Sequence, residues 1–263
     1  MAGPITIGET VTIESKALNE QRTINVYLPA GYQKNDDRFP VLYLIDGGLD
    51  QDFLHIAGSS HLGSIWARSQ SVIIVGVETK DRRKELVGPT SDPLLLEKYP
   101  TAGKSAAFRD FIRDEVKPLI SANYRTSGDD AVIGESLAGL FIVETYLQEP
   151  SLFARFAAIT PSMWWDKERL SFEAADLMTK PNRPSPPFYI SIANEGGEMQ
   201  TGVDRLLAAL ETKSGWCYAP HPEYTHATIY HGTAPEALQF LFPTPIEQDP
   251  QSGFDLVCAK KGK

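Results

Sequence analysis

Five short stretches of this chain, residues 41–45, 72–77, 131–133, 156–159 and 188–192, are apolar runs without alternation. A strand with one solvated face alternates apolar and polar side chains. A strand without that alternation is covered on both faces, as in a parallel sheet flanked by helices. Helical patterns fall between the runs. Phe108, Phe111, Ile112, Val116, Leu119 and Ile120 recur at three- and four-residue spacing within 104–120, where Pro118 is expected to bend or end the helix. Residues 137–147 are a nearly continuous helix former, and Val203, Leu206, Leu207 and Leu210 mark a third helix over 201–210. Ahead of all this, Ile5, Ile7, Val11 and Ile13, then Ile24, Val26 and Leu28, alternate with polar residues, the pattern of an antiparallel pair. The predicted architecture is α/β: a mixed, mostly parallel sheet with helices on both faces and an antiparallel N-terminal strand pair. With no internal repeat or low-complexity linker, residues 1–263 are expected to form one domain. The four prolines of 180–187 make a stiff connector, and 243–263 carries so little pattern that a loosely packed tail is expected.

Hydrophobic residues make up 42% of the 263 and charged residues 22%, enough for a full soluble core. The formal net charge of −9 argues against nucleic acid or an anionic membrane as partner. No stretch has the length of a transmembrane helix. Only Cys217 and Cys258 are present, outside any C-x-x-C pair; a bridge between them suits an oxidising compartment, but two buried thiols are the expectation. The opening Met-Ala-Gly-Pro-Ile-Thr has no signal-peptide pattern, which fits a cytoplasmic protein or an exported one lacking its leader.

The chemistry concentrates at Gly134-Glu135-Ser136-Leu137-Ala138-Gly139, on the junction between a buried strand and a helix. A serine flanked by small residues on such a sharp turn is what a nucleophile elbow requires, because bulk on either flank clashes. The junction also leaves the Leu137 N–H without an intrahelical partner, ready to hold an oxyanion. Ala138 stands where G-x-S-x-G has its last glycine, and a turn with a capping serine is the other reading of a bare G-x-S.

In open α/β sheets the working groups gather at the carboxyl ends of the strands. After the first buried run comes Asp46-Gly47-Gly48, where the Gly48 N–H is the expected second oxyanion donor. After the fifth comes Asn194-Glu195-Gly196-Gly197-Glu198, which offers Glu195, or Glu198, as the acid orienting a histidine. Glu195 is preferred as nearer the strand end. Of the five histidines, His226 lies in a later loop followed by small residues, giving the order Ser136, Glu195, His226. That order, serine then acid then histidine, is the one α/β-hydrolases use. His221, His226 and His231 are five apart, Pro222 prevents a common helical face, and no H-E-x-x-H is present, so no metal site and no cofactor are expected.

The chain resembles the esterase D-like branch of the α/β-hydrolases, which includes siderophore, feruloyl and acetylxylan esterases and the mycolyltransferases. The resemblance rests on Val26-Tyr27-Leu28-Pro29-Ala30-Gly31-Tyr32, Val41-Leu42-Tyr43-Leu44-Ile45-Asp46-Gly47, the elbow, Pro161-Ser162-Met163-Trp164-Trp165 and Tyr224-Thr225-His226. It is nearest to bacterial periplasmic enterobactin and salmochelin esterase-like proteins. The resemblance implies Ser136 as nucleophile, His226 as general base, Gly48 and Leu137 as oxyanion donors, and Arg82 or Arg83 near the substrate. Some siderophore esterases work with a Ser–His pair alone, so the acid stays open. Trp164 and Trp165 are candidates for the wall of an aromatic acyl pocket, with packing beneath the strand as the alternative.

The expected function is therefore that of a cofactor-independent serine carboxylesterase acting on a small-molecule ester. Siderophore trilactone hydrolysis and acyl transfer are alternatives, and a non-catalytic binding module is a more remote one.

Overall fold

The computed structural model describes residues 2–247, 249 and 251–262; residues 1, 248, 250 and 263 lie outside it. In chain order the elements are β1 (Gly8–Ser15), β2 (Glu20–Tyr27), β3 (Phe39–Ile45), α1 (Phe53–Ile65), β4 (Ile73–Val77), α2 (Arg82–Glu85), α3 (Pro93–Lys98) and α4 (Ser105–Phe111). A π-helical stretch (Ile112–Val116) leads into α5 (Lys117–Asn123), then β5 (Thr126–Glu135), α6 (Leu137–Gln148), β6 (Phe156–Ile159), α7 (Trp165–Met178), β7 (Phe188–Ile192), α8 (Gly197–Leu210), β8 (Trp216–Pro220), α9 (Ile229–Leu241) and β9 (Lys260–Lys261). One sheet runs in the order β1-β2-β4-β3-β5-β6-β7-β8-β9. β3 through β8 are mutually parallel, β1 and β2 join antiparallel at one edge, and β9 does so at the other. This is the α/β-hydrolase fold.

The apolar runs are two-sided, as their lack of alternation implies. Val41, Tyr43 and Ile45 of β3 enter a core layer with α4, α6, α7 and α8. Leu42 and Leu44 of the same strand enter a second layer with α1 and α9. Because the strands are parallel, their carboxyl ends share one edge, where the loops after β3, β5, β6, β7 and β8 meet.

Pro118 does not end its helix. The chain stays helical through Asn123, and the wider π turn before the proline takes up the missing N–H and the ring. The segments 51–66 and beyond Trp165, which have no decisive pattern, are mostly helix as α1 and α7. The expectation of two free thiols is overturned: Cys217 on β8 and Cys258 form a disulfide, their Cα atoms 5.2 Å apart. The cause is the tail, which is not loose at its end. Lys260 and Lys261 pair with Tyr218 and Cys217, bringing Cys258 onto β8. Leu256 packs on the core, and the Phe254 ring lies under the Arg68 guanidinium.

Candidate active site

Ser136 sits between the last residue of β5 and the first of α6 with φ 62° and ψ −117°. A non-glycine residue pays for such a backbone in strain, and strain of this kind gathers where function holds it in place. Two other non-glycine residues at this edge share it: Asp46 after β3 at φ 59° and Thr160 after β6 at φ 39°. The elbow has little room. A Cβ at Gly134 would lie 2.6 Å from that of Ala138, and one at Gly139 would lie 2.9 Å from the Ile159 carbonyl oxygen. The alanine in place of the last motif glycine is thus accommodated because Gly134 has no side chain.

Three loops converge on this serine. The Ser136 Oγ is 3.0 Å from His226 Nε2, and His226 Nδ1 is 2.6 Å from Glu195 Oε1. One tautomer satisfies both contacts: Nδ1–H donates to the carboxylate and Nε2 accepts from the hydroxyl. Glu195 also accepts from Thr160 Oγ1 at 2.6 Å, and Ser162 Oγ lies 3.3 Å from Ser136 Oγ. The Glu195 side chain is 14% exposed and the His226 side chain 42%, so the imidazole is the more open of the two to solvent. Glu198 lies exposed in the first turn of α8, outside this chain of contacts.

The two expected oxyanion donors differ. The Leu137 N–H opens α6 and has no carbonyl four residues back within the helix. The Gly48 N–H instead donates to Gln51 Oε1 at 2.9 Å. Gln51 reaches back three residues as the glutamine of a capping box does, and its Nε2 is held by the Thr79 carbonyl at 2.9 Å. Gly48 therefore meets an oxyanion only when this carboxamide turns away.

The candidate substrate contacts also separate. Arg82 donates through Nε to Asp46 Oδ2 at 2.8 Å, and Asp46 in turn accepts from Thr79 Oγ1. The Arg83 guanidinium stacks 4.3 Å above the Tyr99 ring. Trp165 is 4% exposed, and its Nε1–H points to the Gly88 carbonyl at 3.4 Å, so this ring packs in the core rather than walling a pocket. Trp164 is half-buried against it, with ring centroids 5.8 Å apart.

Sequence reasoning missed Thr160, Ser162 and Gln51. Thr160 and Ser162 follow β6, so the strand-end rule reaches them, and Gly48-x-x-Gln51 is legible as a capping pair. It also missed an acidic wall. Glu135, just before Ser136, is pushed up by burial and by Asp46 and Glu195 nearby, against the pull of His226 and Arg82. Asp52, before α1, is pushed up to about 7 by burial and by the neighbouring Asp46 and Glu135.

The chain is similar to several known proteins. Over 207 residues the chain is 27% identical to the ferri-bacillibactin esterase BesA of Bacillus subtilis, covering 69% of this chain and 68% of that protein. It is 26% identical over 187 residues to the siderophore triacetylfusarinine C esterase of Aspergillus fumigatus, covering 66% of this chain and 62% of that one. The structure of an IroE-like serine hydrolase from Shewanella oneidensis superposes with a TM-score of 0.80 at 25% identity, covering 89% of this chain and 80% of the other. The family model described as Putative esterase matches residues 15–213, and the chain belongs to that family of α/β-hydrolases.

Proposed function

We propose that this protein is a serine carboxylesterase with Ser136 as nucleophile, His226 as general base and Glu195 as the acid that orients it. The observation that carries the reading is the unbroken contact chain from Ser136 Oγ through His226 to Glu195. His226 Nε2 takes the hydroxyl proton as Ser136 Oγ attacks the ester carbonyl. The imidazolium that forms is stabilised by the Glu195 carboxylate, itself held by Thr160. The Leu137 N–H receives the alkoxide, joined by Gly48 once Gln51 swings off it. His226 then gives its proton to the departing alcohol. Water enters and attacks the acyl carbonyl as His226 takes its proton; the bond to Ser136 Oγ then breaks, the acyl group leaves as the acid, and His226 returns the proton to Ser136 Oγ.

The test is a panel of p-nitrophenyl esters, from acetate to long acyl chains plus one aromatic ester, run on wild type and Ser136→Ala. Turnover by wild type and its loss in the variant supports the reading; equal turnover by both sinks it. A narrower reading, hydrolysis of siderophore trilactones, is favoured by the substrates for which the two esterase relatives are named. Chromatography of a trilactone siderophore after incubation, looking for linear products, tests it directly. Product analysis with an added acceptor alcohol separates hydrolysis from acyl transfer.

A further inference from the structure

One wall of the site is polar but unpaired. Asp52 and Glu135 are each partly exposed, and among the described residues neither carboxyl group has a hydrogen-bond partner in the protein. Tyr230 of α9 is 5% exposed, and among the described residues its buried hydroxyl has no hydrogen-bond partner. The Tyr230 ring packs edge-on against His55 of α1, centroids 5.5 Å apart, on the helix that Asp52 precedes, and the charges of Asp52, Glu135 and Asp46 act on its hydroxyl. A buried phenol without a partner is costly, and so is a crowd of carboxylates without counter-charge. Three carboxylates here share one guanidinium, that of Arg82, and its contact is with Asp46. What the wall lacks is a group that is positive and can donate. An organic ammonium is a group of that kind, positive and able to donate up to three hydrogen bonds.

We propose that Asp52, Glu135 and Tyr230 form a subsite beside Ser136 for a protonated amine carried by the ester substrate. The proposal rests on the hydrolase reading above. It places the amine within reach of the residue preceding the nucleophile, so charge recognition and acylation are coupled. It also carries a pH signature. The charges of Asp46, Glu135 and Arg82 act on Asp52, and burial with the neighbouring Asp46 and Glu135 pushes its carboxyl up to about 7. Above that pH the wall is ionised and holds the amine; as pH falls through it, Asp52 takes up a proton and the preference shrinks.

The experiment compares kcat/KM for a dimethylaminoethyl ester with that for the neutral isopentyl ester of the same acid. A companion pair carries the amine in the acyl part instead. In at least one pair the cationic ester is expected to win on the order of tenfold above neutral pH, with the advantage shrinking as pH falls. Asp52→Asn and Glu135→Gln should each move the ratio toward one; a general loss in either variant cancels in the ratio. A wild-type ratio near one in both pairs, or a preference that survives both substitutions, overturns the subsite while neutral-ester turnover leaves the hydrolase reading standing. Turnover of no ester, together with no labelling of Ser136 by a fluorophosphonate, overturns the hydrolase reading and the subsite with it.

Discussion

Buried charge in the scaffold and charge at the active edge obey different rules. Arg22 on β2 is fully buried, and its two terminal nitrogens meet both oxygens of the equally buried Glu85 at 2.8 Å. Its guanidinium also lies over the Phe108 and Phe111 rings, 5.6 and 5.7 Å from their centroids. Arg109 is closed in the same way by Glu144, Glu149 and Gln148. At the carboxyl ends of the strands, by contrast, Ser136, His226 and Glu195 form a line of contacts whose imidazole is open to solvent, and among the described residues the Asp52 and Glu135 carboxyl groups have no hydrogen-bond or ion-pair partner. The buried charges of the scaffold are neutralised by their own chain; at the site Asp46 is met by Arg82, while Asp52 and Glu135 are left available.

The sharpest way to break this contrast is at the acid. Glu195→Gln keeps the shape and removes the charge, and should lower kcat on the order of 10³–10⁴-fold with little change in melting temperature. Glu198→Gln should stay near wild type. A small effect of Glu195→Gln would make the site a Ser–His pair. Arg22→Ala should do the reverse. Leaving Glu85 buried without its partner should cost about 3–5 kcal/mol in denaturant unfolding, with activity per folded molecule retained. Opening the disulfide with Cys258→Ser, paired with Cys217→Ser, should cost about 2–4 kcal/mol by the same measurement, since the bridge closes 41 residues of chain. The ring so closed includes His226, and a loss of kcat beyond the loss of folded protein would move the bridge from scaffold to site. The smallest effect is expected at Thr160→Val, which keeps the shape but deletes the donor to Glu195. A fall in kcat of about tenfold, with KM and melting temperature unchanged, marks Thr160 as a positioning residue; a lowered melting temperature alone would return it to the scaffold.

Much of the architecture was legible because two-sided burial leaves no alternation to misread, and Val41 to Ile45 reads as a parallel strand for that reason. The elbow was legible because steric limits restrict residue type around Ser136. Glu195 and His226 were reachable through strand-end position and order. Other features depend on partners distant in sequence. Cys258 finds Cys217 only because two lysines near the end of the chain pair as an edge strand. The Gly48 N–H looks free until the fold lays Gln51 across it. Trp164 and Trp165 are identical as letters, and only packing separates the half-buried ring from the core one. The unpaired state of Tyr230 is invisible in sequence, since a partner's absence is a property of the assembled neighbourhood.

The measurement that bears most directly on the central claim is intact-protein mass spectrometry after treatment with a fluorophosphonate, followed by peptide mapping. The account predicts a single adduct, on Ser136, absent in Ser136→Ala and strongly slowed in His226→Ala, where the base is missing. An adduct on another residue, or none on wild type that is folded by circular dichroism, would contradict it.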